Sequence, residues 1–295
     1  MRCDLHVHTI HSGMSTLPLV RKLCRECYSP PEAVYETLKR QGMDLVTVTD
    51  HDSIEAGEAL RRYPDFFLSE EVTCHMPSGT EVHVAVYDIT ERHHWEVYRR
   101  RNDLPSLLAY LWEQDIFFGV NHAFSRLTGR RERSDFDWFE MAFPAVETLN
   151  GHILPRNNHL ARDMADMLGK AALGGSDAHT LVSAGSVFTS VPGARNRQEF
   201  LQGLRRGKGR VSGRPGSYWK LTRDVLLIAR EMMMENPVTL ALLPLALVIP
   251  AVTFLNSILE GRFARRWEHQ FDRPLPKQGA IPVLPAPLAP EEMTV

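Results

Sequence analysis

The sequence predicts an α/β protein whose strands close into a distorted, TIM-like barrel, followed by a hydrophobic helical appendage. Strand-like runs alternate with amphipathic stretches over about 190 residues, a pattern typical of βαβ units with parallel strands. Residue types that bind metals follow most of these runs. Only a closed barrel brings so many strand ends together on one face, so we expect a barrel rather than an open sheet.

The elements are assigned from hydrophobic periodicity, which is two residues in strands and 3.6 in helices. Short apolar runs predict strands at residues 3–8, 45–49, 66–73, 82–87, 117–120, 146–149, 171–174 and 187–191. Amphipathic stretches predict helices at residues 31–42, 53–62, 103–114, 135–143 and 157–168. The first helix has a clear start signal, because Ser29 and Pro30 precede it and Pro31 is its first residue.

The composition changes after about residue 215, which predicts three regions. Residues 1–215 form the barrel, 216–272 form an amphipathic and then hydrophobic helical segment, and 273–295 form a Pro-rich tail expected to be disordered. Within the appendage, residues 236–259 carry no charge and are long enough for a bilayer span of about 20 residues. Pro244 and Pro250 would kink such a helix.

The charges that flank residues 236–259 leave the topology open. Arginines are more numerous after the segment, and the positive-inside rule would then place the tail in the cytoplasm. A single crossing conflicts with a cytoplasmic barrel, whereas a re-entrant hairpin or an in-plane anchor does not. The alternative is a helical hairpin packed on the barrel or on a second subunit. We therefore expect a cytoplasmic protein, with membrane association at the cytoplasmic face through 236–259.

Composition narrows the classes of function. A net charge of −2 gives no bulk attraction to nucleic acid, which is left as a weakly supported partner. Four cysteines in 295 residues do not make a disulfide framework, and the pair Cys24 and Cys27 has no second pair at zinc-ribbon spacing. The N-terminus enters a strand directly, with no signal-peptide pattern.

Histidines and carboxylates at the strand ends predict a metal site. His6 and His8 alternate on one strand, so both imidazoles point to the same face of the sheet. Imidazoles and carboxylates held on strand ends suit Zn, Mn or Fe. The expected ligands are His6, His8, Glu71, His83, His122 and Asp177, with His51 and His179 next. Glu70 competes with Glu71, because the parity of that strand is ambiguous, and a carboxylate there could bridge two metals.

These segments resemble the PHP family, the polymerase-and-histidinol-phosphatase domain. The resemblance rests on motifs that follow one another in the family's order over about residues 1–215: His6-Val7-His8-Thr9, Thr49-Asp50-His51-Asp52, Glu71-Val72-Thr73, Val82-His83-Val84, Asn121-His122 and Ser176-Asp177-Ala178-His179. It implies a distorted (β/α)7 barrel with two or three divalent metal ions at the carboxyl ends of the strands.

The resemblance also implies roles for the ligands. His6, His8, Glu71 and Asp177 would hold one metal, and Glu71, His83 and His122 the second. Glu71, Asp177 and His179 are the expected catalytic residues.

One position departs from the family pattern. Relatives often carry an Asp or His five or six residues after the second His of the first motif, where it helps His51 and His179 to hold a third metal. Here Gly13 and Met14 occupy those places. Either His11 replaces the missing ligand, or the third site is weak or absent, so two metals are the safer expectation.

The resemblance implies a phosphoesterase in which a metal-bound hydroxide attacks a phosphate ester. The substrate would be a small phosphomonoester, a nucleotide phosphate or the 5′ end of an oligonucleotide. Arg126, Arg130 and Arg131, on the loop after the His122 strand, would bind the phosphate, and Asn150 would hydrogen-bond the substrate. His75 and His152 lie beyond strand ends, where they could also contact a substrate.

Two alternatives remain open. An amidohydrolase also carries a His-x-His strand, but a dinuclear one usually bridges its metals with a carbamylated lysine, and no lysine occurs between Lys39 and Lys170. The second alternative is a non-catalytic, metal-binding accessory domain of a membrane-associated complex. A nearly complete ligand set argues against it.

Overall fold

A computed structural model describes residues 1–15 and 20–268. Its strands are β1 (Arg2–Cys3), β2 (Ser69–His75), β3 (Glu81–Tyr87), β4 (Phe117–Val120), β5 (Ala145–Asn150), β6 (Ala171–Gly175), β7 (Val187–Ser190) and β8 (Arg210–Gly213). The α-helices are α1 (Pro31–Arg40), α2 (Ala56–Leu60), α3 (Glu91–Arg100), α4 (Leu104–Glu113), α5 (Arg133–Ala142), α6 (Pro155–Met167), α7 (Arg197–Arg205), α8 (Tyr218–Glu235), α9 (Leu243–Ala246) and α10 (Ile249–Glu268). The α/β class is therefore as predicted.

The strands form two sheets rather than one closed barrel, which corrects the closed-barrel expectation. Five strands pair in the order β2-β3-β4-β5-β6, and three pair in the order β1-β7-β8. Single bridges join their edges, as between Val7 and Ala178 and between His51 and Glu71. Carboxylates explain the interruptions: Asp4 Oδ1 accepts from the backbone N–H of Ser176, and Asp50 Oδ1 from that of Thr9, so these donors are not free for a ladder.

The expectation of parallel strands is wrong for β3, which is antiparallel to both β2 and β4. Only residues 76–80 separate β2 from β3, too few for a parallel crossover. Gly79, at φ +83°, supplies the left-handed conformation that this turn requires. Two helices, α3 and α4, then return the chain to β4. The strands β4, β5 and β6 are parallel.

The residues predicted as a strand at 45–49 form only an isolated bridge, between Val46 and Phe66. They nevertheless lie where the prediction placed them, beside the first strand, because the backbone N–H of Thr49 donates to the carbonyl of Val7 at 2.8 Å. This hydrogen bond holds the segment that ends in His51 close to the segment that contains His8.

The appendage packs partly on the α/β region. Ala264 and Trp267 of α10 are buried in the largest apolar core, where the Trp267 ring lies 4.8 Å from that of Phe136. Thr222 of α8 and Thr253 of α10 share a hydrogen bond of 2.7 Å. In the chain between Thr222 and Thr253, apolar side chains are exposed to solvent: Val238 and Leu247 are each more than 80% exposed.

Within the described chain, no single helix has the length and hydropathy of a membrane span. Residues Pro237–Ala246 and Ile249–Glu268 pass such a criterion only as a pair bent by 63°. Membrane association stays a prediction, and the tail at 273–295 lies outside the described residues.

Candidate metal centre

Glu71 lies at the centre of the histidine cluster and is almost fully buried. Its Oε1 is 3.1 Å from His122 Nε2 and 3.2 Å from His83 Nδ1. Its Oε2 is 3.1 Å from His6 Nε2 and 3.3 Å from His51 Nδ1. One carboxylate thus faces two sets of imidazoles, an arrangement that suits a ligand shared by two cations.

The ambiguity between Glu70 and Glu71 is resolved by the register of β2. Neighbouring residues on a strand point to opposite faces, so only one of the two can enter the cluster. Glu70 points away from it, and its Oε2 lies 2.8 Å from His94 Nδ1 on α3.

Asp177 closes the other side of the cluster. Its Oδ1 is 3.3 Å from His8 Nε2 and 3.5 Å from His6 Nε2. Its Oδ2 accepts a hydrogen bond of 3.0 Å from the amide of Asn150. Gly175 makes this approach possible, since a Cβ there would lie 2.3 Å from the backbone N of His6.

Polar partners orient the imidazoles of His6 and His8 through the ring nitrogen that faces away from the cluster. His6 Nδ1 lies 2.9 Å from Glu147 Oε1, and His8 Nδ1 lies 2.9 Å from Ser12 Oγ, which in turn donates to Asp50. Each partner engages one ring nitrogen and leaves Nε2 facing the cluster. Imidazoles that ligate metals are normally held in this way.

The backbone is strained at the ends of the strands that carry the ligands. His122 and Asp177 have φ values of +29° and +51°, and Asp52, one residue after His51, has +49°. Non-glycine residues adopt such values at a cost of about 1–3 kcal/mol each, and they concentrate at functional sites.

The electrostatic environment favours the ligating protonation state at Glu71 and His8 but not at His6 and His83. Burial lowers the pKa of both of these imidazoles, but the carboxylate of Glu71 outweighs it, so the pKa of His6 lies well above its ordinary value and that of His83 is raised to about 10. Burial raises the pKa of Glu71, but the imidazoles of His6, His83 and His51 hold it well below its ordinary range. Burial and neighbouring His179 lower the pKa of His8 to about 3, which keeps that imidazole neutral. Ionised carboxylates and neutral imidazoles are the forms that bind divalent cations.

The donor set fits divalent metal ions. Groups of three potential ligand atoms lie within 4.8 Å of one another in five combinations: His6, His8 and Asp177; His6, Glu71 and His122; His51, Glu71 and His83; His8, His51 and His179; and His152, Asp177 and His179. The Nε2 atoms of His6 and His8 lie 3.1 Å apart, so both imidazoles would be available as ligands to the same cation.

The structure does not bring His11 into the cluster, which corrects the hypothesis that it replaces the missing third-site ligand. His11 Nδ1 lies 3.0 Å from Glu55 Oε2 at the protein surface, because the turn at Ile10–Ser12 directs the side chain outwards. Among the described residues, no group of potential ligands contains it. Glu26 lies closer, with Oε2 3.7 Å from His51 Nε2.

The predicted substrate-binding residues divide into two kinds. Arg126 and Arg130 are exposed. Arg131 is buried, and its guanidinium donates to the carbonyls of Ala123 and Glu81 and to the Thr128 hydroxyl, so it braces the loop instead. The Asn150 amide also has internal partners, because Nδ2 donates to Asp177 and to Glu147 Oε2. Both side chains therefore have internal partners, and their roles in substrate binding stay predictions.

Some residues around the cluster were missed by the sequence reasoning. Glu147 had a recognisable signal, since it is the only charged residue of its strand, Ala145–Asn150. Asp224, which contacts His152, had none, because it lies on an amphipathic helix 72 residues away in the chain.

Part of the chain matches a known family. A family model described as PHP-associated matches residues 155–208, and no curated protein matches the sequence. The matched residues include the Ser176-Asp177-Ala178-His179 motif, which confirms the resemblance over this part of the chain.

Several solved structures are similar to the chain. PsfC from Pseudomonas syringae PB-5123 is 17% identical, with a TM-score of 0.53 over 79% of this chain and 98% of its own. A Bifidobacterium adolescentis protein described as a metal-dependent phosphoesterase is 14% identical, with a TM-score of 0.41 over 60% and 87%. The lesion-specific endonuclease PfuEndoQ from Pyrococcus furiosus is 19% identical, with a TM-score of 0.49 over 72% and 58%. At 17% identity, the likeness to PsfC is one of fold.

Proposed function

We propose that the protein is a metal-dependent phosphoesterase, acting on a phosphomonoester, a nucleotide phosphate or an oligonucleotide 5′ end. The observation that carries the proposal is Glu71, whose two oxygens face two sets of imidazoles. A dinuclear site of this kind is typical of enzymes that displace groups on phosphorus.

Divalent cations bound by these residues would polarise the ester and make water nucleophilic at neutral pH. The chain's own residues hold the reacting groups in place. His51, His83 and His179 are the partly exposed members of the cluster, at 16%, 13% and 14% of the side chain, so substrate would approach from their side. Glu71 and Asp177 are buried beneath them and would serve as anionic anchors.

Arg130 is the better supported phosphate-binding residue. It lines an open cavity together with Glu81, whose Oε1 lies 3.3 Å from His83 Nε2. A guanidinium in this cavity would bind a phosphate group with two parallel hydrogen bonds. Arg126 lies on the same loop and is the second candidate.

The test is a hydrolysis assay on protein stripped with a chelator and reloaded with Mn²⁺, Zn²⁺ or Fe²⁺. We expect phosphomonoester or phosphodiester turnover that requires added metal and disappears in Glu71→Gln. Turnover of cyclic amides without phosphoester turnover would favour an amidohydrolase. Bound metal with no turnover on either panel would favour the accessory-domain alternative.

A further inference from the structure

A fifth group of potential ligands lies beside the set expected from the family motifs. It consists of His152, Asp177 and His179, with one ligand atom from each within 4.8 Å of the others. His152 belongs to the loop after β5 and is outside the family's ligand motifs. Its ring lies nearly parallel to that of His179, with centroids 5.8 Å apart.

A residue of the appendage orients His152. Asp224 of α8 places Oδ2 3.0 Å from His152 Nε2, and its side chain is only 1% exposed. The Ser183 hydroxyl and the Arg223 guanidinium also donate to Asp224. Because Nε2 is engaged by this carboxylate, Nδ1 is the nitrogen that His152 offers to a cation. A carboxylate–histidine pair behind a metal is a recurrent arrangement.

His179 can serve only one cation. Its Nδ1–H donates to the carbonyl of Asp177 at 3.0 Å, which leaves Nε2 as the ligand atom. On one side of the ring are His8 and His51, and on the other are His152 and Asp177. The three ligands of the first side are all imidazoles, and Glu26, whose Oε2 lies 3.7 Å from His51 Nε2, is outside that group. The second side offers a carboxylate as well, and its negative charge offsets part of the charge of a divalent cation.

We propose that His152, Asp177 and His179 bind a divalent cation and that Asp224 of α8 positions His152 as its ligand. This places the additional metal of the centre on the side of α8, away from the position that Gly13 leaves without a ligand. The inference extends the proposed metal-dependent function, but its test counts metal ions and not turnover, so the two can fail separately.

The experiment measures bound metal per chain after equilibration of the full-length protein in Zn²⁺ or Mn²⁺ buffers of defined free concentration. His152→Ala should hold about one equivalent fewer than wild type. The matched control is His159→Ala, an exposed histidine on α6, which should hold the wild-type number. Melting curves recorded in chelator verify that each variant is folded.

Asp224→Asn separates positioning from ligation. We expect a dissociation constant raised about 10–100-fold for one equivalent, since the ligand is present but no longer held by a carboxylate. That equivalent should return when free metal is raised by the same factor, whereas His152→Ala should not recover it over the same range.

The proposal is overturned if His152→Ala keeps every equivalent. Should His152→Ala not fold, Asp224→Asn decides alone. Recovery at high free metal then supports the proposal, and full occupancy at low free metal overturns it.

Discussion

Replacing Glu71 with Gln tests the bridging geometry directly. The substitution keeps the size of the side chain and removes its negative charge. Because Oε1 faces His83 and His122 while Oε2 faces His6 and His51, both sets of ligands lose the same carboxylate.

The expected loss of metal affinity is estimated from these two sets of ligands. Loss of a group that only supports a metal ligand typically weakens binding 10–100-fold, which is a lower bound for loss of a ligand. Applied once to each set, this gives a combined loss of about 10²–10⁴, or about 3–5 kcal/mol of metal-binding free energy. Hydrolysis should fall by at least the same factor.

Glu70→Gln is the matched control, because it makes the same change one residue earlier on the same buried strand. Glu70 pairs with His94, so this variant should keep its metal and lose about 1–2 kcal/mol of stability at most. The assay is a metal titration combined with hydrolysis of a chromogenic phosphoester. Equal losses in both variants, or unchanged metal binding in Glu71→Gln, would refute the assignment of Glu71 to the centre.

Three further outcomes can be measured. Glu147→Gln, which loosens the ring of His6, should weaken metal binding about 10–100-fold in a titration and recover at high free metal; unchanged affinity would contradict the orienting role. Glu260→Gln should lower the free energy of unfolding in urea by about 1–3 kcal/mol, because a buried acceptor of several hydrogen bonds is lost, while Glu268→Gln, in an exposed ion pair, should cost less than about 1 kcal/mol. The pKa of Asp224 is about 2 in the folded protein, against an ordinary 3.8. In chelator, Asp224→Asn should therefore lower the free energy of unfolding by about 2 kcal/mol at pH 7, and this difference from wild type should shrink as the pH falls from about 4 through 2. A difference that stays constant with pH would contradict an ionised, buried carboxylate.

The members of the cluster could be predicted because their positions follow from strand geometry. Alternation places His6 and His8 on one face, and strand ends bring His83, His122 and Asp177 together whatever the exact sheet order. The structure unites eight of the nine predicted metal-binding residues and leaves out His11. Their roles as ligands remain predictions.

Side-chain environments at a distance could not be predicted. A run of arginines on one loop gives no sign that Arg131 is buried while Arg130 is exposed, since that depends on which backbone carbonyls fold over the loop. In the same way, Asn150 has the residue type of a substrate contact, but the neighbouring carboxylates of Glu147 and Asp177 occupy its amide.

The sheet was predicted less well than the site. The presence of a strand can be predicted from the local hydrophobic periodicity, but the direction of β3 in the sheet depends on its connections to β2 and β4. The closed barrel failed for a related reason: Asp4 and Asp50 bind backbone N–H groups that strand pairing would need, and these same contacts hold the loops beside His6 and His8. The polar groups that shape the centre thus interrupt the strands that carry it.

The appendage is coupled to the loops that border the centre. Lys220 of α8 donates to the carbonyl of Gly151 at 2.7 Å, immediately before His152. Glu260 of α10 accepts from the backbone N–H of Arg126, on the loop that follows His122. Helices α8 and α10 therefore hold the loops after β5 and β4, which are the loops expected to contact substrate. The change in composition at residue 215 follows the last strand, β8, but Lys220, Asp224 and Glu260, which contact the loops around the centre, lie beyond it.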